Sequence, residues 1–132
     1  MPGEQIEEEK KADKNQVRQL KIKTGSLKRN MKDYTSYKNE EKALQEKLEK
    51  MKDEGKDEHD IKKMQEQIME TTETLATCKP RIDGAIDDLD NLIATYEEKP
   101  GELLDLLKAT PEWEQAHSQI AEAKAFVEAI EI

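Results

Sequence analysis

The chain has 132 residues, 40% of them charged and 4% aromatic, with a formal net charge of −9. It is one domain at most, and so charged and aromatic-poor a composition suits long helices with a narrow apolar seam better than a broad globular core. The single cysteine excludes an internal disulfide framework, and neither a membrane span nor a signal peptide can be read, so a soluble, reducing, intracellular setting is expected.

Residues 1–12 are polar and aperiodic and are expected to form a disordered tail. From Val17 the seam positions step by three and four through Leu20, Thr24, Leu27, Met31 and Tyr34. After one phase slip they resume at Tyr37, Glu41, Leu44, Leu48 and Met51, which predicts a first helix over about 13–54. Gly55 is placed to cap it, and Asp57 or Asp60 to start the next.

The second seam runs unbroken from Ile61 through Met64, Ile68, Thr71, Leu75, Cys78, Ile82, Ala85, Leu89 and Leu92 to Tyr96, predicting a helix over about 58–97. Pro80 and Gly84 fall on its outer side, so a bend is expected there and not a stop. Beside the seam, Gln65, Thr72 and Lys79 give way to Ile86 and Ile93, the widening that a further packing partner requires. Thr110 followed by Pro111 starts a third helix over about 111–131, with Trp113, Ala116, Ile120, Ala123, Val127 and Ile130 inward. Together these predict an all-α fold: residues 13–132 as an elongated, antiparallel, up-down-up three-helix bundle with two long helices and a shorter C-terminal one. Folding the hairpin at Gly55 sets Met51 against Ile61 and Lys23 against Asp88.

Catalytic chemistry finds little to rest on. His59 and His117 lie on different helices with no nucleophile beside either, and Cys78 occupies a seam position suited to a small buried hydrophobe. "DEGKDEHD" lacks the ligand pattern of a calcium loop, and no glycine-rich phosphate loop exists, so neither a metal nor a cofactor is expected. "LLDLL" at 103–107 contains L-x-x-L-L, but a short helical turn that plugs the bundle with its leucines is preferred to a groove ligand.

Residues 14–32 hold seven cations and no acid. If Leu20, Thr24 and Leu27 face inward, Arg18, Ile22, Gly25, Arg29 and Lys32 make one outward stripe, with Lys21, Lys23 and Lys28 beside it. A solvated charged face is the ordinary meaning of such a run. Ile22 and a helix-weakening glycine within it fit a docking surface for an acidic protein, with Gly25 permitting close approach. Nucleic acid fits poorly, for want of aromatics and because of the net charge, and a membrane surface fits poorly because the apolar face is used as the seam.

The stretch "VRQLKIKTGSLKR", with "DIKK" at 60–63 and the run Cys78, Arg81, Ile82, Ala85, Asp88, Leu89, Leu92, resembles the tubulin-binding cofactor A family from about Val17 onward. The resemblance implies a three-helix-bundle chaperone of the cytoplasm and microtubule cytoskeleton that needs no nucleotide or metal. Its partners would be β-tubulin, held between chaperonin release and αβ-heterodimer assembly, and other tubulin-folding cofactors. This sequence departs from the family pattern in its longer N-terminal tail, in placing Pro80 after Cys78, and in the length of 99–110. A structural or regulatory helical adaptor that binds a partner helix is the alternative. A monomer is preferred to a homodimer, although the seam around Leu44, Leu48 and Ile68 is open to pairing.

Overall fold

Asp13 starts the first helix. Its carboxylate Oδ1 accepts from the amides of Asn15 and Gln16 at 2.8 and 3.2 Å, supplying partners for two of the orphan N–H groups of helix α1, Lys14–Asp53. The computed structural model describes residues 10–130, and among these every regular element is helical. Helix α2 spans Glu58–Glu97, α3 Glu102–Lys108 and α4 Pro111–Ile130. The expected tail falls for residues 1–9 outside the described residues, while Lys10–Asp13 form no regular element.

The three-helix expectation is corrected to four helices among the described residues. Seven residues of the 99–110 segment form α3, because Leu104 and Leu107 are three apart and both buried. Gly101 precedes it at φ +153°, a backbone angle that side-chain-bearing residues rarely adopt. Thr110 then caps α4: its hydroxyl accepts from the Trp113 amide at 3.2 Å and donates to the Leu107 carbonyl at 2.6 Å.

The chain forms two compact units, and α1 and α2 each contribute to both. Within the described residues, the first unit comprises 10–28 and 85–130. There the start of α1 runs antiparallel to the end of α2, with Asp13 near enough to Tyr96 to act on its phenol. The core holds Leu20 and Leu27 from α1, Ile86, Leu89 and Ile93 from α2, and Leu104 and Leu107 from α3. Helix α4 adds Trp113 and Ile120, and its fully buried Ala116 and Ala123 allow a close helix approach. Each fully buried leucine contributes about 1.5–3 kcal/mol. Thr24 is buried beside them, and its Oγ1 has no hydrogen-bond partner among the described residues, at a cost of about 1–3 kcal/mol. The expected Lys23–Asp88 pair is absent among the described residues: Asp88 is exposed, Lys23 is half-buried, and no ion pair joins them. Exposed pairs of this kind add too little to fix a long lysine in one rotamer.

The second unit, Arg29–Gly84, is a two-helix hairpin. Gly55 turns it at φ +66°, with the Lys56 amide bonding the Met51 carbonyl and the Gly55 amide the Lys52 carbonyl. That pairing is the glycine C-cap which only a residue tolerant of positive φ makes without strain. Met31, Met64, Leu75, Cys78 and Ile82 are buried, whereas Leu44, Leu48, Met51, Ile61 and Ile68 are only half-buried, as two helices alone must leave them. Helix α2 continues through Pro80, which lies exposed on its outer side.

Glu41 occupies a seam position and is 8% exposed. Its carboxylate accepts from the Thr72 hydroxyl at 2.8 Å and from Lys38 at 3.2 Å, an arrangement that agrees with hairpin folding at Gly55. The Thr72 hydrogen bond holds the carboxyl below its ordinary 4.5, against the upward push of burial and with added help from Lys38. A lowered folded-state value stabilises the fold above the unfolded value and loses that contribution as pH falls through the folded one. Glu41→Gln should therefore melt below the parent at pH 7, and the gap should narrow as the pH falls below the ordinary 4.5, as followed by circular dichroism.

Candidate functional site

The phase of α1 decides what its surface offers. Leu20 and Leu27 are 0% exposed and Thr24 6%, so this row is locked inward. At about 100° per residue, the positions between must turn outward. In the first unit Arg18, Lys21, Gly25 and Lys28 are exposed, as is Ile22 at 50%. Lys23 is the exception among the residues expected there: it is half-buried, because its place in the turn lies nearer the inward row. Arg29 and Lys32, in the second unit, are exposed.

These cations are uncommitted. Among the described residues none of Arg18, Lys21, Lys28, Arg29 and Lys32 is in an ion pair, whereas Lys10 meets Glu102 at 2.7 Å and Lys124 meets Asp90 at 3.5 Å. Long cationic side chains without an intramolecular partner keep their charge available to an incoming one. Gly25 sharpens the point. A Cβ added there would find nothing within 4 Å, so packing does not demand the glycine, and its φ is not in the positive range. A mid-helix glycine costs about 1 kcal/mol relative to alanine. No packing contact within the unit offsets that cost. Within the first unit, Ile22 and Gly25 lie exposed among Arg18, Lys21 and Lys28 on α1.

The other candidates carry less. Cys78 is buried, its thiol 3.6 Å from the Thr74 carbonyl. His59 and His117 are exposed, the latter tilted against the Trp113 ring at 5.1 Å between centroids. Among the described residues no group of three or more His, Cys, Asp or Glu could hold a metal ion, and no helix is long and apolar enough to cross a membrane. In "LLDLL" Leu107 is 0% exposed, so it cannot enter a partner's groove while α3 stays folded, and the plugging reading stands. Sequence reasoning missed one feature of the first unit: a groove of about 550 Å³ lined by Gln16, Tyr96, Pro100, Gly101 and Leu103. Burial, with a smaller contribution from Asp13, pushes the Tyr96 phenol up, so it stays neutral. The Pro100–Gly101 pair was the only hint that the chain turns sharply enough to leave such a space.

Among the described residues, then, the regular structure is all helical, with an unpaired cationic face on α1 and a glycine that packing does not use. The sequence places the chain more narrowly. The pattern of the tubulin binding cofactor A family matches residues 15–125, and the chain belongs to that family. It is 35% identical over 108 residues to a tubulin-specific chaperone A of Gallus gallus, covering 82% of this chain and 93% of that one. Against the tubulin-specific chaperone A of Homo sapiens it is 40% identical over 82 residues, 62% of this chain and 76% of that one. The crystal structure of tubulin folding cofactor A from Arabidopsis thaliana superposes with a TM-score of 0.71 at 31% identity, covering 86% of this chain and 99% of that one.

Gly25 yields a direct test of the reading that the fold does not need it. Gly25→Ala should raise thermal stability, by up to about 1 kcal/mol in chemical denaturation.

Proposed function

We propose that this chain is a tubulin-folding chaperone of the cytoplasm, one that captures β-tubulin monomers and holds them between chaperonin release and assembly of the αβ heterodimer. The names of its relatives support tubulin as the partner. The single structural observation that carries the mode of capture is the exposed, unpaired basic face of α1, with Ile22 and Gly25 set into it. Holding requires no chemistry. It requires a rigid surface that covers a face of the monomer and releases it on demand. A basic rim suits an acidic partner, since complementary charge speeds encounter and fixes orientation while adding only modestly to affinity. Gly25 brings the backbone of one turn within reach of the partner, and Ile22 supplies apolar contact in the middle of the charges. The same account covers other tubulin-folding cofactors, which would take the monomer over once this face is vacated.

The test is a pull-down with purified β-tubulin and α-tubulin offered separately at two salt concentrations. Wild-type chain should retain β-tubulin over α-tubulin, and less of it at high salt, because screening shortens from about 8 Å at 0.15 M to about 3 Å at 1 M. Arg18→Glu with Lys28→Glu should weaken capture about tenfold at low salt, with helix content unchanged. Undiminished capture by that double variant removes the basic face from the mechanism.

A further inference from the structure

The basic face contains one exposed hydroxyl, Ser26. Hydroxyl groups elsewhere on α1 and α2 are mostly spent. Thr35, Thr71, Thr74, Thr77 and Thr95 donate to backbone carbonyls, and Thr72 donates to Glu41. Three serines, Ser26, Ser36 and Ser118, are exposed, and no hydrogen bond engages their hydroxyls among the described residues.

Their neighbours differ sharply. Ser36 stands in mixed charge, with Lys32 and Asp33 before it and Lys38 and Glu40 after, while Ser118 lies one turn from both Glu114 and Glu122. Ser26 has Lys21 five residues before it, Lys23 three before, and Lys28 and Arg29 two and three after, with no acid in residues 20–32. Charge of one sign around a hydroxyl is how a protein kinase with an acidic cleft chooses among serines, and of the three only Ser26 has cations with no acid beside them. Gly25, directly before Ser26, leaves the hydroxyl without a side chain at the preceding position.

We propose that Ser26 is a phosphate-acceptor site for a basophilic serine kinase, and that phosphate there closes the basic face to its partner. The inference rests on the reading of that face as the tubulin-capturing surface. In the transfer, the Ser26 Oγ bonds to the γ-phosphorus of ATP, the bond from that phosphorus to the β–γ bridging oxygen breaks, ADP leaves, and the hydroxyl proton passes to the kinase base. The product carries a charge of about −1.5 to −2 at pH 7 and three acceptor oxygens. Lys23, one turn before on the same helix, is the natural first partner for it. The phosphate thus acts twice: it draws a lysine away from the partner, and it sets like charge against an acidic surface.

Two arms decide the matter. In the first, the folded 132-residue chain is incubated with the catalytic subunit of a cyclic-AMP-dependent kinase and ATP, and phosphate is mapped by mass spectrometry. Phosphate on Ser26 and its absence after Ser26→Ala are expected. No phosphate on Ser26, or phosphate on Ser36 or Ser118 instead, overturns the proposal. In the second arm the phosphorylated chain is titrated with purified β-tubulin. Affinity should fall about tenfold at 0.05 M salt and recover most of that at 0.5 M, while kinase treatment should leave the affinity of Ser26→Ala where it stood before treatment. Equal affinity of the phosphorylated and parent chains overturns the switch, as does loss of helix content on phosphorylation. If the unmodified chain fails to hold β-tubulin, the functional reading fails by itself, and the mapping arm still decides whether Ser26 is an acceptor.

Discussion

The burial of Leu20 and Leu27 on one row of α1 is the constraint from which the surface follows. Both are fully enclosed. Moving the helix phase by a single residue would rotate that row by about 100°, expose the two leucines and bury Lys21 and Lys28. Exposing two leucines forfeits about 3–6 kcal/mol, and burying unpaired lysines costs more. The outward position of Arg18, Ile22 and Gly25 is therefore enforced from inside, by residues that themselves touch no partner. On the proposed function, a face held this way is in place before tubulin arrives, which keeps the ordering cost of capture small.

Polar insertions in the seams show a second trade. In the second unit Glu41 and Thr71 stand where apolar residues would be stickier, and Glu41 is satisfied by Thr72 and Lys38. A buried, hydrogen-bonded polar group contributes little net stability but penalises other registers, in which it would lose its partners. A hairpin whose apolar seam is half-buried along Leu44, Leu48 and Ile68 has reason to specify its register in this way. The charges follow a different logic. Acids dominate the chain as a whole, yet the seven cations of residues 14–32 are not consumed by them, and the expected Lys23–Asp88 pair does not form.

Much of this was legible in the sequence because heptad spacing is a direct imprint of burial. The inward rows, the widening at Ile86 and Ile93, the caps at Gly55 and Thr110 and the passage of α2 through Pro80 are all local signals, each with its own physical cause. The exposed stripe was legible as the complement of the buried row. What escaped was whatever depends on three-dimensional crowding. Helix α3 has only seven residues, too short for periodicity to establish, and its identity rests on Leu104 and Leu107 meeting a core already built by other elements. The half-burial of Lys23 and the groove beside Tyr96 and Leu103 have the same origin, since neither is encoded in a period. The hydrogen bond from Thr72 to Glu41 joins residues 31 positions apart and could be inferred only as a register, not as a contact.

The most direct measurement is lysine footprinting of the chain alone and in complex with β-tubulin, by amine-reactive labelling read out by mass spectrometry. Free chain should label readily at Lys21, Lys28 and Lys32, and complex formation should suppress labelling there while Lys124, on α4, stays reactive. Suppression at Lys124 with Lys21 and Lys28 still labelled would contradict the account, because the surface that meets tubulin would then lie away from the face that Leu20 and Leu27 turn outward.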